Sequence, residues 1–240
     1  MSPAPDASVS AERRHEITAG LEAARQRIRS AELAAERVPG SVGLIVVTKT
    51  FPAAEVAVLA DLGVRHVGEN RDQEAAPKAA ALTDYPLTWH YVGQLQTNKA
   101  RSVARYASIV ESVDRARLVT ALNGAAEAVG GGIECLVQVS LDDEPGRGGA
   151  EPDEVPSLAE AIAVSPALTL GGVMAVAPLG ADPDRAFERL ALVAQSLRSD
   201  HPDASIVSAG MSGDLEAAVR HGATHVRLGS AILGYRAIVG

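Results

Sequence analysis

Cysteine is almost absent from the sequence, since Cys135 is the only one among 240 residues. An internal disulfide is therefore excluded, and because Cys135 lies in the apolar run "CLVQVS" we interpret it as a core thiol in a protein of the reducing cytoplasm. Basic residues are outnumbered, since there are 22 lysines and arginines against 30 aspartates and glutamates. The net charge of -8 argues against partners such as nucleic acid or an anionic membrane surface.

Long apolar runs are also missing, because none approaches the roughly 18 residues of a membrane span. The opening "MSPAPDASVS" has neither the basic nor the apolar region of a signal peptide. Aromatic residues make up only 3% of the chain against 47% hydrophobic residues, so the expected core is aliphatic. We expect residues 1–7 to form a disordered tail, residues 8–240 to form one domain, and the function to be small-molecule chemistry.

Short apolar runs alternate with helical patterns along the chain. The runs that predict strands are 43–49, 66–70, 89–93, 109–113, 134–141, 171–178, 206–210 and 225–233. Between them, segments such as "PAAEVAVLADLG" and "AFERLALVAQSLRS" carry apolar residues at helical spacing. Eight such repeats predict an α/β fold, a closed (β/α)₈ TIM-type barrel, with an open doubly wound sheet as the alternative.

One further helix is predicted before the first strand. Apolar residues recur at steps of three and four from Ile17 to Val38, which indicates an amphipathic helix. Pro39 and Gly40 follow directly, and this pair is expected to end the helix.

Lys49 is the most informative residue, because it ends the otherwise apolar run "LIVVTKT". Side chains alternate along a strand, so Lys49 shares a face with Val47 and Ile45. An inward-facing lysine at the mouth of a barrel, desolvated by aliphatic walls, is suited to Schiff-base chemistry with a carbonyl. The alternative is a strand-end lysine whose ammonium only reaches solvent.

Two segments predict an anion site on the far side of the same mouth. Small residues 208–213 form a tight loop after the seventh strand, and Ser212 is predicted to cap the next helix, which begins within 214–216. On the eighth strand, Gly229 allows close backbone approach and Ser230 offers a hydroxyl. Phosphate sites in such barrels often follow strands seven and eight. An ordinary capped helix after a turn is the alternative.

Arg227 has the parity of Gly229 and therefore points into the barrel. A buried guanidinium needs an acceptor. Either a structural partner such as Glu69 or a ring nitrogen of a ligand satisfies that need, and the sequence leaves both open.

Several motifs together resemble one family over essentially the whole chain after the tail. They are "VVTKTFP", "HVGENRDQE", "WHYVGQLQTNKA", "GVMAVAPLG" and "SAGMSGDLEAAVRHGATHVRLGSAILG". The sequence resembles the pyridoxal phosphate homeostasis protein family, whose fold is that of the alanine racemase N-terminal barrel domain. The resemblance implies that Lys49 holds pyridoxal 5'-phosphate (PLP) as a Schiff base, with Asn70 beside it and Arg227 facing its pyridine nitrogen.

The same motifs imply the remaining cofactor-binding residues. The phosphate cradle is expected to comprise Ser208, Gly210, Ser212, Gly229 and Ser230, and Met211 is expected to be a further cofactor-binding residue. His90 and Met174 are expected to form the pocket wall. In the family a lysine is common where this chain has Arg147, and a guanidinium forms no Schiff base, so we label residues 146–149 only as a flexible loop.

The function implied is reversible holding of PLP and its supply to apo-enzymes, without an established catalytic activity. The alternative is an amino-acid racemase, which needs a second acid/base on the opposite face of the substrate. The four tyrosines offer no evident candidate for that group: Tyr85, Tyr91, Tyr106 and Tyr235. A phosphosugar aldolase is a third possibility, although no acid/base pair accompanies Lys49. Amino acids and apo-enzymes are the expected partners.

Overall fold

A computed structural model describes residues 9–142 and 148–234 of the chain. The strands are β1 (Gly43–Val47), β2 (His66–Glu69), β3 (Thr88–Tyr91), β4 (Ile109–Val113), β5 (Ile133–Gln138), β6 (Leu168–Met174), β7 (Ile206–Ser208) and β8 (His225–Leu228). The α-helices are α1 (Ala11–Ala34), α2 (Ala53–Asp61), α3 (Asp72–Ala81), α4 (Ala100–Val103), α5 (Ala116–Val129), α6 (Val155–Ala163), α7 (Pro183–Asp200), α8 (Leu215–Arg220) and α9 (Ser230–Leu233). A short 3₁₀ helix, Thr97–Lys99, precedes α4.

The eight strands form one closed parallel barrel in sequence order, in which β8 pairs with β1. The predicted (β/α)₈ barrel is therefore confirmed, and the open doubly wound sheet is wrong. The predicted tail, residues 146 and 147 of the predicted flexible loop, and Tyr235 lie outside the described residues. None of the helices in the described part of the chain has the length and apolar character of a membrane span.

The predicted strand 109–113 coincides with β4, whereas the other seven predicted strands are too long at their carboxyl ends. β1 stops at Val47 because the ladder to β2 ends with the bond from Thr48 N to Gly68 O, at 2.9 Å. The chain then turns, with Phe51 N donating to Thr48 O and Thr50 at a φ of 68°. Likewise β8 ends at Leu228, so Ser230 starts α9 instead of belonging to the strand.

Alternating side chains divide the apolar core into a helix-facing layer and a barrel interior. Val46 is fully buried in a cluster that includes side chains of α1, α2 and α8. Its neighbours Ile45 and Val47 have the opposite parity, and the interior also holds a small apolar cluster of Ile109, Leu136 and Met174. Lys49 lies two residues beyond Val47, past the end of the strand, so the alternation within β1 does not fix the direction of its side chain.

α1 covers the outside of the barrel where the chain closes. It begins after the N-cap Ser10, buries Ile17, Leu21 and Ile28, and packs against α2, α8 and α9. The helix ends at Ala34, before the predicted stop at Pro39 and Gly40. It is shorter because Glu36 takes a left-handed φ of 55° and the chain folds back.

Candidate functional site

A cavity of about 490 Å³ lies at the mouth of the barrel between the ends of β1 and β8. The sequence-predicted site residues that line it are Lys49, Met211, Ser212, Arg227, Gly229 and Ser230. They come from opposite ends of the chain and meet because the barrel closes between its first and last strands. An amine, two hydroxyls and a guanidinium thus share one volume.

Lys49 is an exposed residue at this mouth. The expectation that aliphatic walls desolvate it is wrong, because β1 ends at Val47 and the following turn carries the lysine outward. Beneath it, the preceding residue Thr48 is fully buried. Lys49 therefore projects from a buried anchor into an accessible space.

A buried ion pair holds that anchor. Lys78 Nζ donates to Thr48 O at 2.7 Å and to Glu69 Oε1 at 2.5 Å. Thr48 Oγ1 donates to the same carboxylate oxygen at 2.6 Å. Burial raises the pKa of Glu69, and the ion pair with Lys78 opposes that shift. The base of the Lys49 turn is consequently fixed by β2 and α3, which sequence patterns did not indicate.

Arg227 forms the floor of the cavity and is only 4% exposed. Its Nη1 donates to Ser208 O at 2.8 Å and to Ser208 Oγ at 2.7 Å, while Nη2 donates to Ala175 O at 2.8 Å. The nearest carboxylate is Glu111, with Oε2 at 3.6 Å from Nη1. The acceptor suggested from the sequence, Glu69, is wrong because that carboxylate is bonded to Lys78.

A chain of hydrogen bonds continues from Arg227 into the barrel. Ser208 Oγ donates to Glu111 Oε2 at 2.7 Å, and His90 Nδ1 lies 2.7 Å from Glu111 Oε1. Because an ionised carboxylate only accepts, His90 Nδ1 carries the hydrogen. His90 Nε2 in turn lies 2.9 Å from His66 Nδ1. We call His66, His90, Glu111, Ser208 and Arg227 the interior chain.

The charges of the interior chain are set by burial and by each other. Burial alone raises the pKa of Glu111, but the hydrogen bond with His90 and the charge of Arg227 hold it below its usual value. Burial, together with repulsion from His90 and His225, lowers the pKa of His66 to about 4. At neutral pH the interior therefore contains an ionised Glu111 opposite the Arg227 cation and an uncharged His66.

The loop after β7 differs from its predicted geometry in one respect. α8 begins at Leu215 after the N-cap Asp214, and Asp214 Oδ1 accepts from Met211 N at 2.6 Å. The prediction that Ser212 caps this helix is wrong, because Asp214 occupies the capping position. The carboxylate of Asp214 therefore points back into the loop that precedes α8.

The hydroxyls of Ser212 and Ser230 make no hydrogen bond within the described ranges, while both residues line the cavity. Gly210 has a structural reason for being glycine. Its φ is 92°, and a Cβ there would lie 2.6 Å from Ala218 Cβ. Gly229 is also close-packed, since a Cβ would lie 3.1 Å from Val47 O. Both glycines keep the loops tight around the cavity.

The remaining predicted residues lie elsewhere in the barrel. Met174 is 1% exposed and belongs to the interior apolar cluster. His90 and Ser208 belong to the interior chain, below the cavity. Asn70 follows β2 and is half-buried, and its Oδ1 is buried with no hydrogen-bond partner among the described residues. Their contact with a cofactor stays a prediction.

Sequence reasoning missed Glu111, although a signal for it was present. The run "IVESV" places a carboxylate inside an apolar strand, just as "LIVVTKT" places an amine at the end of one. A charged group at an inward position of a barrel strand indicates a partner in the interior. Glu111 and Arg227 are such a pair, contributed by β4 and β8.

The barrel fold and the cavity at its mouth are those of a known class of protein. Residues 21–237 match the family described as alanine racemase, N-terminal domain. The chain belongs to this family and, within it, to the pyridoxal phosphate homeostasis proteins. The protein of that name from Mycobacterium tuberculosis is 43% identical, and the match covers 97% of this chain and 98% of the relative.

Solved structures agree with this membership. A crystal structure of an unknown protein from Bifidobacterium adolescentis has a TM-score of 0.88 at 29% identity and covers 96% of this chain and 100% of that one. The structure of PipY from Synechococcus elongatus PCC7942 with PLP bound has a TM-score of 0.77 at 34% identity, with coverages of 91% and 100%. The family named from sequence motifs is thereby confirmed.

Proposed function

We propose that this protein binds PLP in the mouth cavity, holds it reversibly on Lys49 and supplies it to apo-enzymes. One observation carries the proposal: Lys49 shares a single cavity with Ser212, Gly229, Ser230 and Arg227. The name of the curated relatives and the PLP-bound PipY structure support the same ligand.

The residues present fit the proposed cofactor. The cavity volume of about 490 Å³ lies within the ordinary range for small-molecule sites, roughly 300–1,000 Å³. PLP supplies an aldehyde that bonds to amines, a basic ring nitrogen and a phosphate dianion. The cavity offers an exposed amine, a buried cation and two hydroxyls without partners among the described residues, so each group of the ligand has a counterpart.

Each side chain then has a defined task. Lys49 would hold the cofactor through its amine, and the aldehyde of PLP would supply reversible covalent chemistry there. Ser212 and Ser230 donate to phosphate oxygens. Arg227 would donate a hydrogen bond to the ring nitrogen, and because a guanidinium does not lose its proton at neutral pH, it would leave that nitrogen unprotonated. In the barrel interior, Ser208 accepts a hydrogen bond from Arg227 and His90 is hydrogen-bonded to Glu111, so both residues fix the position of the Arg227 guanidinium.

Supply of the cofactor is favoured over racemisation by the location of the described tyrosines. Tyr91 is buried and its Oη donates to Asn70 O at 3.4 Å, whereas Tyr85 and Tyr106 border a groove on the outside of the barrel. None of these three lines the mouth cavity. A racemase needs a proton donor facing Lys49 across the substrate, and no described tyrosine takes that place.

The supply role implies protein partners, and the single buried cysteine suits a reducing compartment. Burial raises the pKa of Cys135 to about 12, which suits a core thiol rather than a reactive one. We therefore propose that the protein works in the cytoplasm, with PLP, free amino acids and apo forms of PLP-dependent enzymes as its partners.

Two reactions test the proposal. In the first, PLP-loaded protein is mixed with an apo-enzyme and the activity of that enzyme is measured. In the second, PLP-loaded protein is incubated with alanine in deuterated water and deuterium at the α-carbon is measured. We expect the apo-enzyme to regain activity, and alanine to exchange little deuterium at its α-carbon. Rapid α-deuteration at a rate near the enzyme median of about 10 per second would instead establish the racemase. If the apo-enzyme regains no activity from the loaded protein, the supply role is wrong.

A further inference from the structure

Helix α1 contacts one loop of the cavity wall through Arg27. Arg27 Nη1 donates to Ser212 O at 2.8 Å. The same guanidinium forms a two-pronged pair with Glu216, with Nε to Oε1 and Nη2 to Oε2 both at 2.7 Å. The bond from the guanidinium to Glu216 raises the pKa of Arg27 and lowers that of Glu216. Arg27 thus joins the loop before α8 to α8 itself.

The other loop is held from the same helix, near its N-terminal end. Arg13 Nη2 donates to Leu233 O at 2.8 Å and to Glu55 Oε2 at 2.7 Å. Leu233 is the last residue of α9, whose first residue is Ser230. Gly20 brings the two helices close, because a Cβ there would lie 2.5 Å from Ile232 O.

The bond to Ser212 O fixes the direction of a peptide group. In a trans peptide the carbonyl and the following N–H point in opposite directions. Arg27 holds the Ser212 carbonyl toward α1, on the outside of the barrel. The N–H of Gly213 therefore points away from α1, and Gly213 lines the cavity.

We propose that α1 positions the two segments that face the phosphate, namely the loop before α8 and the α9 segment that begins at Ser230. We call this arrangement the clamp, and Arg27 is its main positioning residue. The inference rests on the proposed function and adds a part of the molecule remote from Lys49. Without Arg27, rotation of the Ser212–Gly213 peptide would turn a carbonyl oxygen toward the phosphate in place of an N–H donor. Loss of the clamp therefore weakens phosphate recognition and leaves recognition of the aldehyde unchanged.

The test compares two ligands on Arg27→Gln, namely PLP and pyridoxal, which lacks the phosphate. Since hydrogen bonds to charged groups are the stronger class, we expect the Kd for PLP to rise by about tenfold and the Kd for pyridoxal to stay unchanged. The matched control is Arg14→Gln on the same helix. Arg14 pairs with Asp61, at 3.2 Å and exposed, and contacts neither loop.

A second variant separates the effect of the hydrogen bond to Ser212 O from the effect of the ion pair with Glu216. Glu216→Gln removes the charge partner but leaves Arg27 beside Ser212 O, so we expect a smaller rise in the PLP Kd than in Arg27→Gln. Arg27→Lys, which keeps the charge on a side chain without the fork, is expected to lie between wild type and Arg27→Gln.

The results distinguish the clamp from the proposed function. Unchanged PLP affinity in both Arg27 variants, or an equal loss for PLP and pyridoxal, overturns the clamp. A wild-type protein that does not bind PLP, or binds the two aldehydes equally, overturns the phosphate site itself. Should Arg27→Gln not fold, the comparison of Arg27→Lys with Glu216→Gln carries the same decision.

Discussion

The barrel interior and the barrel mouth contain similar polar residues, but those of the interior are hydrogen-bonded to one another and those of the mouth are not. The two regions meet at Arg227. In the interior chain, His66, His90, Glu111 and Ser208 are bonded to one another and finally to Arg227. At the mouth, Lys49 is exposed and the hydroxyls of Ser212 and Ser230 are bonded to no described residue. Inward orientation alone therefore does not mark a ligand contact, because many inward groups are already bonded to each other.

This difference assigns separate tasks to the two regions. A buried and mutually bonded network is costly to disturb, so the interior chain holds the Arg227 guanidinium in one place. Exposed or half-buried groups without partners among the described residues cost little in stability and remain available to a ligand. Variants of the interior are expected to change the free energy of unfolding, and variants of the mouth are expected to change affinity.

The largest effect on stability is expected from Glu111→Ala. Removing this fully buried carboxylate leaves the Arg227 charge uncompensated, which costs about 3–5 kcal/mol. Chemical denaturation of Glu111→Ala and Lys49→Ala measures the contrast, and we expect Lys49→Ala to lie within about 0.5 kcal/mol of wild type. Equal destabilisation by the two variants would show that the regions are not distinct.

A second prediction compares Ser230, on the mouth side of Arg227, with Ser208, on its interior side. Ser230→Ala removes a hydroxyl at the mouth, so we expect PLP binding to weaken by about 1.5–3 kcal/mol while stability is kept. Ser208→Ala removes an interior hydroxyl bonded to Glu111 and Arg227, so we expect a loss of stability of about 1–3 kcal/mol.

Calorimetric titration and denaturation of both serine variants provide the measurements. Ser199→Ala, on the exposed side of α7, is the control for hydroxyl loss in general. A Ser208→Ala protein with full stability and no PLP affinity would move Ser208 into the phosphate site, as the sequence motifs implied.

The smallest effect concerns pH and His66. Its pKa falls from 6.5 in the unfolded chain to about 4 in the folded one, so below pH 6.5 the unfolded state takes up a proton that the folded state does not. Stability is therefore expected to fall as the pH drops from about 6.5 toward 4. Because His66 is partly exposed, we expect a contribution of about 1–2 kcal/mol.

Denaturation at pH 8 and pH 5 measures this dependence, with His66→Gln as the comparison. Burial lowers the pKa of His225 in the same direction, so some dependence remains in the variant. Wild type and His66→Gln with the same change between the two pH values would show that His66 is protonated freely in the folded barrel.

Much of the fold was predictable because it depends on local periodicity. The eight apolar runs and the helical spacing between them can be identified directly in the sequence, and the number of runs indicates the closed barrel. The inward direction of Arg227 follows from its position within β8. The carboxyl ends of the strands were less predictable. An apolar residue such as Val47 continues the pattern, whereas the end of a strand depends on the last bond to its neighbour.

The partners of the polar residues could not be predicted from the sequence. Glu111 and Arg227 are 116 residues apart in the chain and meet only because β4 and β8 face each other across the closed barrel. Lys78 on α3 likewise reaches beneath Lys49 from another element. Asp214 occupies the N-cap position expected for Ser212, but its side chain accepts from Met211 N in the preceding loop and makes no capping hydrogen bond, which only the loop geometry decides.

The central claim is that Lys49 carries the cofactor, and borohydride reduction followed by peptide mapping tests it most directly. The chain has only three lysines, Lys49, Lys78 and Lys99, so the assignment is unambiguous. Lys78 is buried in its ion pair, and Lys99 lies 3.6 Å from Asp72 outside the mouth cavity. We predict that PLP is fixed on the peptide containing "VVTKTF" in wild type and in Lys99→Ala, and on no peptide in Lys49→Ala. The same reducible adduct in Lys49→Ala would contradict the account.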